Sequence, residues 1–191
     1  MIRVVQQRDG MPSATIRPAR IEDADAIASL HAASWRAHYR GSLSDAYLDG
    51  PIEAERQAVW AQRLYHPREG QVVLLAEMDS ALIGFVCLFL DHDRDFGTMI
   101  DNLHVAVGHK GCGIGRLLMN HAAQSMLHAL PRRPAYLYVL ELNHAARRFY
   151  DRIGGIAAER GRKTEPDGSD VAVLRYVWLT PAALMAGTSA A

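Results

Sequence analysis

A glycine-rich turn between an apparent strand and an apparent helix constrains this chain more than any other feature. Residues 98–107 are strand-like, four glycines follow within 108–115, and apolar residues at helical spacing continue to about residue 130. Glycines let the backbone approach a ligand closely, and the unpaired N–H groups at a helix start attract anions. The pattern predicts either a phosphate-binding turn or a plain glycine turn without a ligand.

Three phosphate-binding patterns can be compared with the turn, Lys110-Gly-Cys-Gly-Ile-Gly-Arg116. A Walker loop requires Lys followed by Ser or Thr after its last glycine, whereas Arg116 and Leu117 follow Gly115. A dinucleotide fingerprint counted from Gly111 would need a glycine where Arg116 stands. The pattern that fits is Arg/Gln-x-x-Gly-x-Gly/Ala, with Lys110 in the leading basic position.

Composition and charge exclude several classes of protein. The chain has 191 residues with 21 Lys+Arg against 21 Asp+Glu, and this zero balance argues against a dedicated nucleic-acid binder. Its two cysteines, Cys87 and Cys112, have no metal-ligand spacing and cannot form a disulfide scaffold. The longest apolar run, 81–90, is shorter than the roughly 20 residues of a membrane helix, and no signal peptide is evident. We expect a cytoplasmic protein with no metal and no membrane partner.

Hydrophobic periodicity predicts the element order β-α-α-β-β-β-α-β-α-β-β, which is a mixed α/β sheet flanked by helices. Residues 14–179 are expected to form one domain. Residues 1–13 are expected to be an N-terminal extension, with translation starting at either Met1 or Met11, and residues 180–191 a loose C-terminal tail. The predicted helices are 22–39, 52–64, about 116–130 and 143–153, and the predicted strands are 14–18, 72–76, 82–90, 98–107, 136–140, 156–163 and 171–179.

A second motif lies about thirty residues beyond the glycine turn, at Asn143-His-Ala-Ala-Arg-Arg-Phe-Tyr-Asp-Arg-Ile-Gly-Gly155. Together with the turn it resembles the GNAT superfamily of N-acetyltransferases, whose helix has the pattern Asn-x-x-Ala-x-x-Phe-Tyr-x-x-x-Gly. The resemblance covers residues 14–179, and residues 34–41 are similar to the first helix of one bacterial branch. It implies a central, mostly antiparallel sheet of six to seven strands flanked by about four helices.

The resemblance also implies the donor, acetyl-CoA, held mainly by main-chain groups. Its pyrophosphate would bind the amides of residues 111–116, and its pantetheine arm would lie along the strand at 103–105, where an N–H near Val105 would polarise the acetyl carbonyl. Cys112 is then either a small residue facing the ligand or, less simply, a nucleophile for which the motif supplies no base. The implied donor-binding residues are Leu103, His104, Val105, Lys110, Gly111, Cys112, Gly113, Ile114, Gly115, Arg116, Asn143 and Tyr150. The helix arginines Arg147, Arg148 and Arg152 either meet the 3′-phosphate or form an exposed face.

Tyr150 is the candidate general acid. It lies seven residues after Asn143, two turns along the same helix face, so both side chains can reach one ligand. A phenol, with an ordinary pKa of about 10, is protonated at neutral pH and can donate to a departing thiolate. The alternative is that Tyr150 is a core aromatic, and Asn143 only a helix cap.

The general base is less well defined. The ribosomal-protein branch of the family has a Glu five residues before the motif Asn, where this chain has Tyr138, which counts against activity on protein N-termini. Asp101 is our first candidate, because two-residue alternation places it on one strand face with Leu103 and Val105. Glu141 and His104 are weaker candidates, and proton relay through water is a further alternative.

Trp35 and Tyr39 lie one helical turn apart, and the resemblance suggests that they line the acceptor cleft, although core packing explains them equally well. The acidic run Asp91, Asp93 and Asp95 either attracts a cationic acceptor or is a solvated loop. We expect an N-acetyltransferase acting by direct attack of a small-molecule or peptide amine in a ternary complex. The alternatives are a catalytically silent acyl-CoA-binding regulatory module and, less well supported, a nucleotide-phosphate binder. The family also suggests a homodimer, without a specific signal in this chain.

Overall fold

A computed structural model describes residues 14–189, which form a mixed α/β fold around one seven-stranded sheet. The strand order is β1-β2-β3-β4-β5-β7-β6, antiparallel throughout except for the parallel pair β4 and β5. This confirms the predicted fold class and the number of strands. The strands are β1 (Thr15–Pro18), β2 (Gln71–Met78), β3 (Ala81–Asp93), β4 (Gly97–Val105), β5 (Ala135–Leu140), β6 (Ile156–Thr164) and β7 (Asp170–Trp178).

Helices cover both faces of the sheet, and β3 shows why. Its alternating side chains send Phe85 and Cys87 into a core with the helices 24–38 and 52–65, and Val86 and Leu88 into a core with the helix 114–129. Because both sets are apolar, each face of β3 requires a helical layer. The α-helices are α1 (Ala24–His38), α2 (Asp45–Leu48), α3 (Ile52–Tyr65), α4 (Ile114–Ala129), α5 (His144–Arg152) and α6 (Pro181–Ser189). No helix of residues 14–189 is both long and apolar enough to cross a membrane.

Two helices were not predicted, the short α2 and the C-terminal α6. The prediction of a loose tail at 180–191 is wrong over Pro181–Ser189, because this segment is a helix packed on α4. Leu184 is fully buried there, and Asn120 on α4 donates a hydrogen bond to Thr188. The segment is apolar on most sides and therefore lacks the amphipathic period that indicates a helix. The predicted extension, residues 1–13, lies outside the described residues.

The parallel strands β4 and β5 separate shortly after they meet. Their pairing consists of Thr98 with Ala135 and Met99 with Tyr136, after which β4 bonds only to β3 and β5 only to β7. The gap exposes the β5-facing edge of β4 over residues 100–105. This separation creates the cleft in which the candidate site lies.

A β-bulge at Asp101 sits in the wall of that gap. Leu88 pairs with Ile100 and the next β3 residue, Cys87, pairs with Asn102, so Asp101 is an extra residue on β4. The bulge turns Asp101 to the same face as Asn102, and Arg63 contacts both side chains. The prediction that Asp101 shares a face with Leu103 and Val105 is therefore wrong, since alternation assumes an unbroken strand.

Candidate active site

A cavity of about 640 Å³ fills the gap between β4 and β5. The start of α4, the inner side of α5 and the end of α1 complete its walls. All the residues predicted to bind the donor line this cavity except Cys112. Cys112 is exposed on the outside of the turn, where its thiol lies 3.8 Å from the Lys110 carbonyl oxygen. Its position gives no support to a role in contact with a ligand in the cleft.

The turn that begins α4 depends on glycine for its backbone shape. Gly111 and Gly113 have φ angles of +78° and +82°, in the left-handed region that side chains disfavour. A Cβ at either position would meet no atom within 4 Å, so packing does not explain these glycines. Gly113 caps α4 without a side chain, which leaves the amide end of the helix, at Ile114 and Gly115, facing the cavity. This geometry suits an anion.

Lys110 and His38 meet at the mouth of the cavity, where the Lys110 ammonium forms a short contact with Nε2 of His38. Burial lowers the pKa of Lys110, and burial together with the lysine charge lowers the pKa of His38. The pair therefore places one positive charge and a mainly neutral imidazole beside the glycine turn at neutral pH.

Tyr150 lies deep in the cavity wall, packed against Phe149, Tyr176 and Trp178. Burial raises the pKa of its phenol above the ordinary value, so the hydroxyl stays protonated over the whole physiological range. Asn143 also lines the cavity, and its side-chain oxygen accepts a hydrogen bond from the Ala146 N–H at the start of α5. Asn143 is thus a helix cap located in the cleft, and Tyr150 is both a core aromatic and a cavity residue.

A second cavity of about 360 Å³ adjoins the first on the side of α1 and α3. The two cavities have five lining residues in common, which form a shared wall. The shared residues are Tyr39, Asp101, Asn102, Tyr138 and Leu140. Among the described residues, Asp101 is the acidic side chain common to both cavities.

The three candidate bases differ in their surroundings. Asp101 lies in the shared wall, with its Oδ2 held 2.7 Å from Nη1 of Arg63. Glu141 lines neither cavity and pairs with Arg160. His104 lines the first cavity and bonds to Ser34, but burial lowers its pKa to about 3, so it is neutral and only weakly basic. Of the three candidate bases, Asp101 alone lines both cavities.

Trp35 and Tyr39 stack with their ring centroids 5.0 Å apart. Trp35 is part of the α1–α2–α3 core and also lines the second cavity, while Tyr39 lines both cavities. The two rings therefore both pack against the core and line a cavity.

The other charged residues singled out from sequence are mostly engaged elsewhere. Asp91 pairs with Arg133, and Asp93 accepts hydrogen bonds from two backbone N–H groups in its own loop. Neither residue lines a cavity. Arg152 lines the first cavity, whereas Arg148 is exposed and Arg147 donates to the Glu141 carbonyl.

Four residues that line the second cavity were not predicted as site residues, namely His31, Arg56, Arg63 and Glu165. His31 lies on the apolar face of α1, and a polar residue there was the available signal. The other three are polar residues whose place depends on distant packing. No cluster of three or more His, Cys, Asp or Glu side chains within residues 14–189 is arranged to hold a metal.

Comparisons with known proteins agree with this architecture. The model of the acetyltransferase (GNAT) family matches residues 27–155. A probable N-acetyltransferase of Mycobacterium tuberculosis is 31% identical over 140 residues, covering 72% of this chain and 76% of that protein. The fold is similar to that of the PaiA N-acetyltransferase of Thermoplasma acidophilum, solved with coenzyme A (TM-score 0.66, 23% identity, 87% of this chain and 99% of that one). A GCN5-related N-acetyltransferase from Rhodopseudomonas palustris is also similar (TM-score 0.67, 22% identity, 91% and 98%). The chain belongs to the GNAT family of acetyltransferases.

Proposed function

We propose that this protein transfers an acetyl group from acetyl-CoA to a primary amine in a ternary complex. The observation that carries the proposal is the shared wall between the two cavities, with Asp101 in it. A donor in the first cavity and an amine in the second would meet there without a covalent enzyme intermediate. The exposed Cys112, outside the cleft, supports direct attack rather than acyl transfer through a thiol.

The first cavity suits acetyl-CoA in its hydrogen-bonding groups. The glycine turn presents backbone amides and the positive end of the α4 dipole, which favour a pyrophosphate. The unpaired edge of β4 at residues 100–105 can hydrogen-bond the amides of an extended pantetheine arm as an added strand would. When bound, acetyl-CoA supplies the thioester that an amine can attack.

Tyr150 is the proposed acid. Its hydroxyl remains protonated because burial disfavours the phenolate, and it can hydrogen-bond to negative charge that develops on a leaving sulfur. Three aromatic neighbours hold the Tyr150 ring in place, so its hydroxyl needs little reorganisation during the reaction.

Asp101 is the proposed base, and Arg63 the residue that positions it. The bulge directs the carboxylate toward the second cavity, and the Arg63 contact fixes Oδ2. An amine entering that cavity could then lose its proton to Asp101, directly or through water, before or during attack.

The alternative is an acyl-CoA-binding regulatory module that does not catalyse acetyl transfer. Measuring turnover distinguishes this module from an enzyme. We expect CoA and acetyl-CoA to raise the melting temperature. Stabilisation by ATP alone would contradict acyl-CoA binding. Thiol release from acetyl-CoA is then followed across a panel of primary amines.

Tyr150→Phe should reduce turnover by about 10²- to 10⁴-fold, the usual contribution of a general acid, while acetyl-CoA still binds. Tyr65→Phe, at an exposed tyrosine of α3, is the matched control. Full turnover of Tyr150→Phe when chemistry limits the rate would remove its assigned role.

Asp101→Asn should likewise reduce turnover, whereas Glu141→Gln should not, because Glu141 lines neither cavity. The two variants make the same chemical change at two carboxylates. Equal activity of Asp101→Asn and the wild type would assign proton transfer to water.

A further inference from the structure

Three buried N–H groups, on side chains that line the second cavity, have no hydrogen-bond partner within residues 14–189. They are Nε1 of Trp35, Nε of Arg56 and Nε2 of His31, each on a side chain more than nine-tenths buried. The three side chains form one cluster: the Arg56 guanidinium carbon lies 4.6 Å from the Trp35 ring centroid, and the His31 and Trp35 rings are 5.1 Å apart. Buried polar groups are normally bonded, so three adjacent exceptions beside a cavity point to a ligand.

All three groups are donors. An indole N–H and a guanidinium N–H cannot accept hydrogen bonds. Trp60 donates to Nδ1 of His31 at 3.0 Å, which makes Nδ1 the acceptor and places the proton of a neutral imidazole on Nε2. Burial lowers the pKa of His31, in agreement with a neutral ring. The missing partner is therefore rich in acceptors and needs no donor of its own.

The charges of the cavity suit a ligand that carries both signs. The cations Arg56, Arg63 and Lys163 line it, together with the carboxylates Asp101 and Glu165. Arg63 pairs with Asp101 and Lys163 with Glu165, while Arg56 pairs through Nη2 with Glu55, outside the cavity wall. A volume of about 360 Å³ is that of a small-molecule site.

We propose that the acetyl acceptor is a free amino acid, whose carboxylate binds Arg56 Nε and the N–H groups of Trp35 and His31 once these side chains shift to open the three nitrogens to the cavity. Its amine then lies toward Asp101, at the wall shared with the donor cleft. A carboxylate accepts hydrogen bonds and donates none, so it satisfies the three orphan donors together. The inference rests on the proposed acetyltransferase function for the identity of the donor, but its binding claim stands without turnover. It excludes peptide N-termini, which lack a carboxylate beside the amine.

The test is equilibrium binding to the protein saturated with CoA, which has no acetyl group to transfer. Each of the twenty L-amino acids is titrated by calorimetry, and each one that binds is compared with its amide and its decarboxylated amine. We expect the amide and the amine to bind about 10- to 100-fold more weakly, the usual effect of losing charge-assisted hydrogen bonds. Failure of all twenty to bind, or equal binding of the decarboxylated amine, would overturn the proposal.

Two variants locate the effect. Arg56→Gln and Trp35→Phe should weaken binding of the amino acid and leave binding of its decarboxylated amine nearly unchanged. The ratio of the two affinities should therefore fall toward one. A purely structural role would weaken both ligands alike. Arg36→Gln, at an α1 arginine that bonds Glu53 and lines neither cavity, is the matched control. CoA affinity reports whether each variant is folded.

Turnover separates this inference from the proposed function. Amino-acid binding without thiol release from acetyl-CoA would contradict the enzyme and uphold the carboxylate site. Thiol release with simple amines, but no preference for the carboxylate, would uphold the enzyme and overturn the site.

Discussion

The two cavities are built from different materials. The first cavity, in which we propose that the donor binds, presents main-chain groups: a glycine turn, the amide end of α4 and the unpaired edge of β4. The second cavity presents side chains from α1, α3 and the turn between β6 and β7, many of them charged or aromatic. Backbone groups are the same whatever the sequence, whereas side chains change with it. Donor binding can therefore be common to a family while the choice of acceptor belongs to the individual protein.

The stability of the two regions should differ in kind as well. One face of the sheet rests on apolar packing with α4 and α6. The opposite face, covered by α1 and α3, contains several buried polar groups, including His31, Ser34, Arg56 and His104. Removing apolar contacts should destabilise the first region, and protonation should destabilise the second.

The largest expected effect is that of Leu184→Ala, on the face of the sheet that α4 and α6 cover. Leu184 is fully buried between α6 and α4, so its loss leaves a cavity and should lower the free energy of unfolding by about 2–5 kcal/mol. Urea unfolding measures this change. Leu179→Ala, at an exposed leucine just before α6, is the control and should change the free energy little. A loss no larger than that of the control would show that α6 contributes little to the fold.

Mild acid should destabilise the face of the sheet that α1 and α3 cover. Burial lowers the pKa of His31 and of His104, the latter to about 3, so both stay neutral when folded but bind protons near pH 6.5 when unfolded. Their stabilisation is complete above pH 6.5 and is lost as the pH falls below it, at about 2 kcal/mol per histidine by pH 5.

Urea unfolding at a series of pH values between 7 and 5 measures this loss. His104→Gln should reduce the slope of stability against pH by about one proton. Parallel curves for His104→Gln and the wild type would contradict a neutral, buried His104.

The contrast between the two regions also explains what could be predicted from sequence. Local patterns specify the glycine turn, the Asn143 cap and the position of Tyr150 two turns later, and the structure brings all of them to one cleft. The bulge at Asp101 depends on pairing with β3, and the Arg63 contact on the packing of α3, neither of which a local pattern records. The unpartnered donors of the second cavity likewise become visible only when α1 and α3 are assembled.

A smaller effect is expected for Gly113→Ala. A side chain in the left-handed region costs about 1–2 kcal/mol, and a shift of the turn to relieve it would move the amides at the start of α4. Both stability and CoA affinity should therefore fall, while amine binding changes little. Gly108→Ala is the matched control, because that glycine lies in the same segment with an unstrained φ and open space for a Cβ. Equal CoA affinity in the two variants would show that backbone shape at residue 113 does not matter for the donor.

The smallest expected effect concerns the pair at which α1 meets the glycine turn. The Lys110 charge disfavours protonation of His38, so Lys110→Met should raise the His38 pKa toward its ordinary value, and burial should still hold it below that value. A half-exposed pair of this kind is worth less than about 1 kcal/mol. The change is measured by NMR titration of the His38 imidazole. Bound CoA should raise the His38 pKa further in both proteins, because phosphate charge beside the turn favours the imidazolium. An unchanged His38 titration on adding CoA would place the phosphates away from Lys110 and contradict donor binding at this turn.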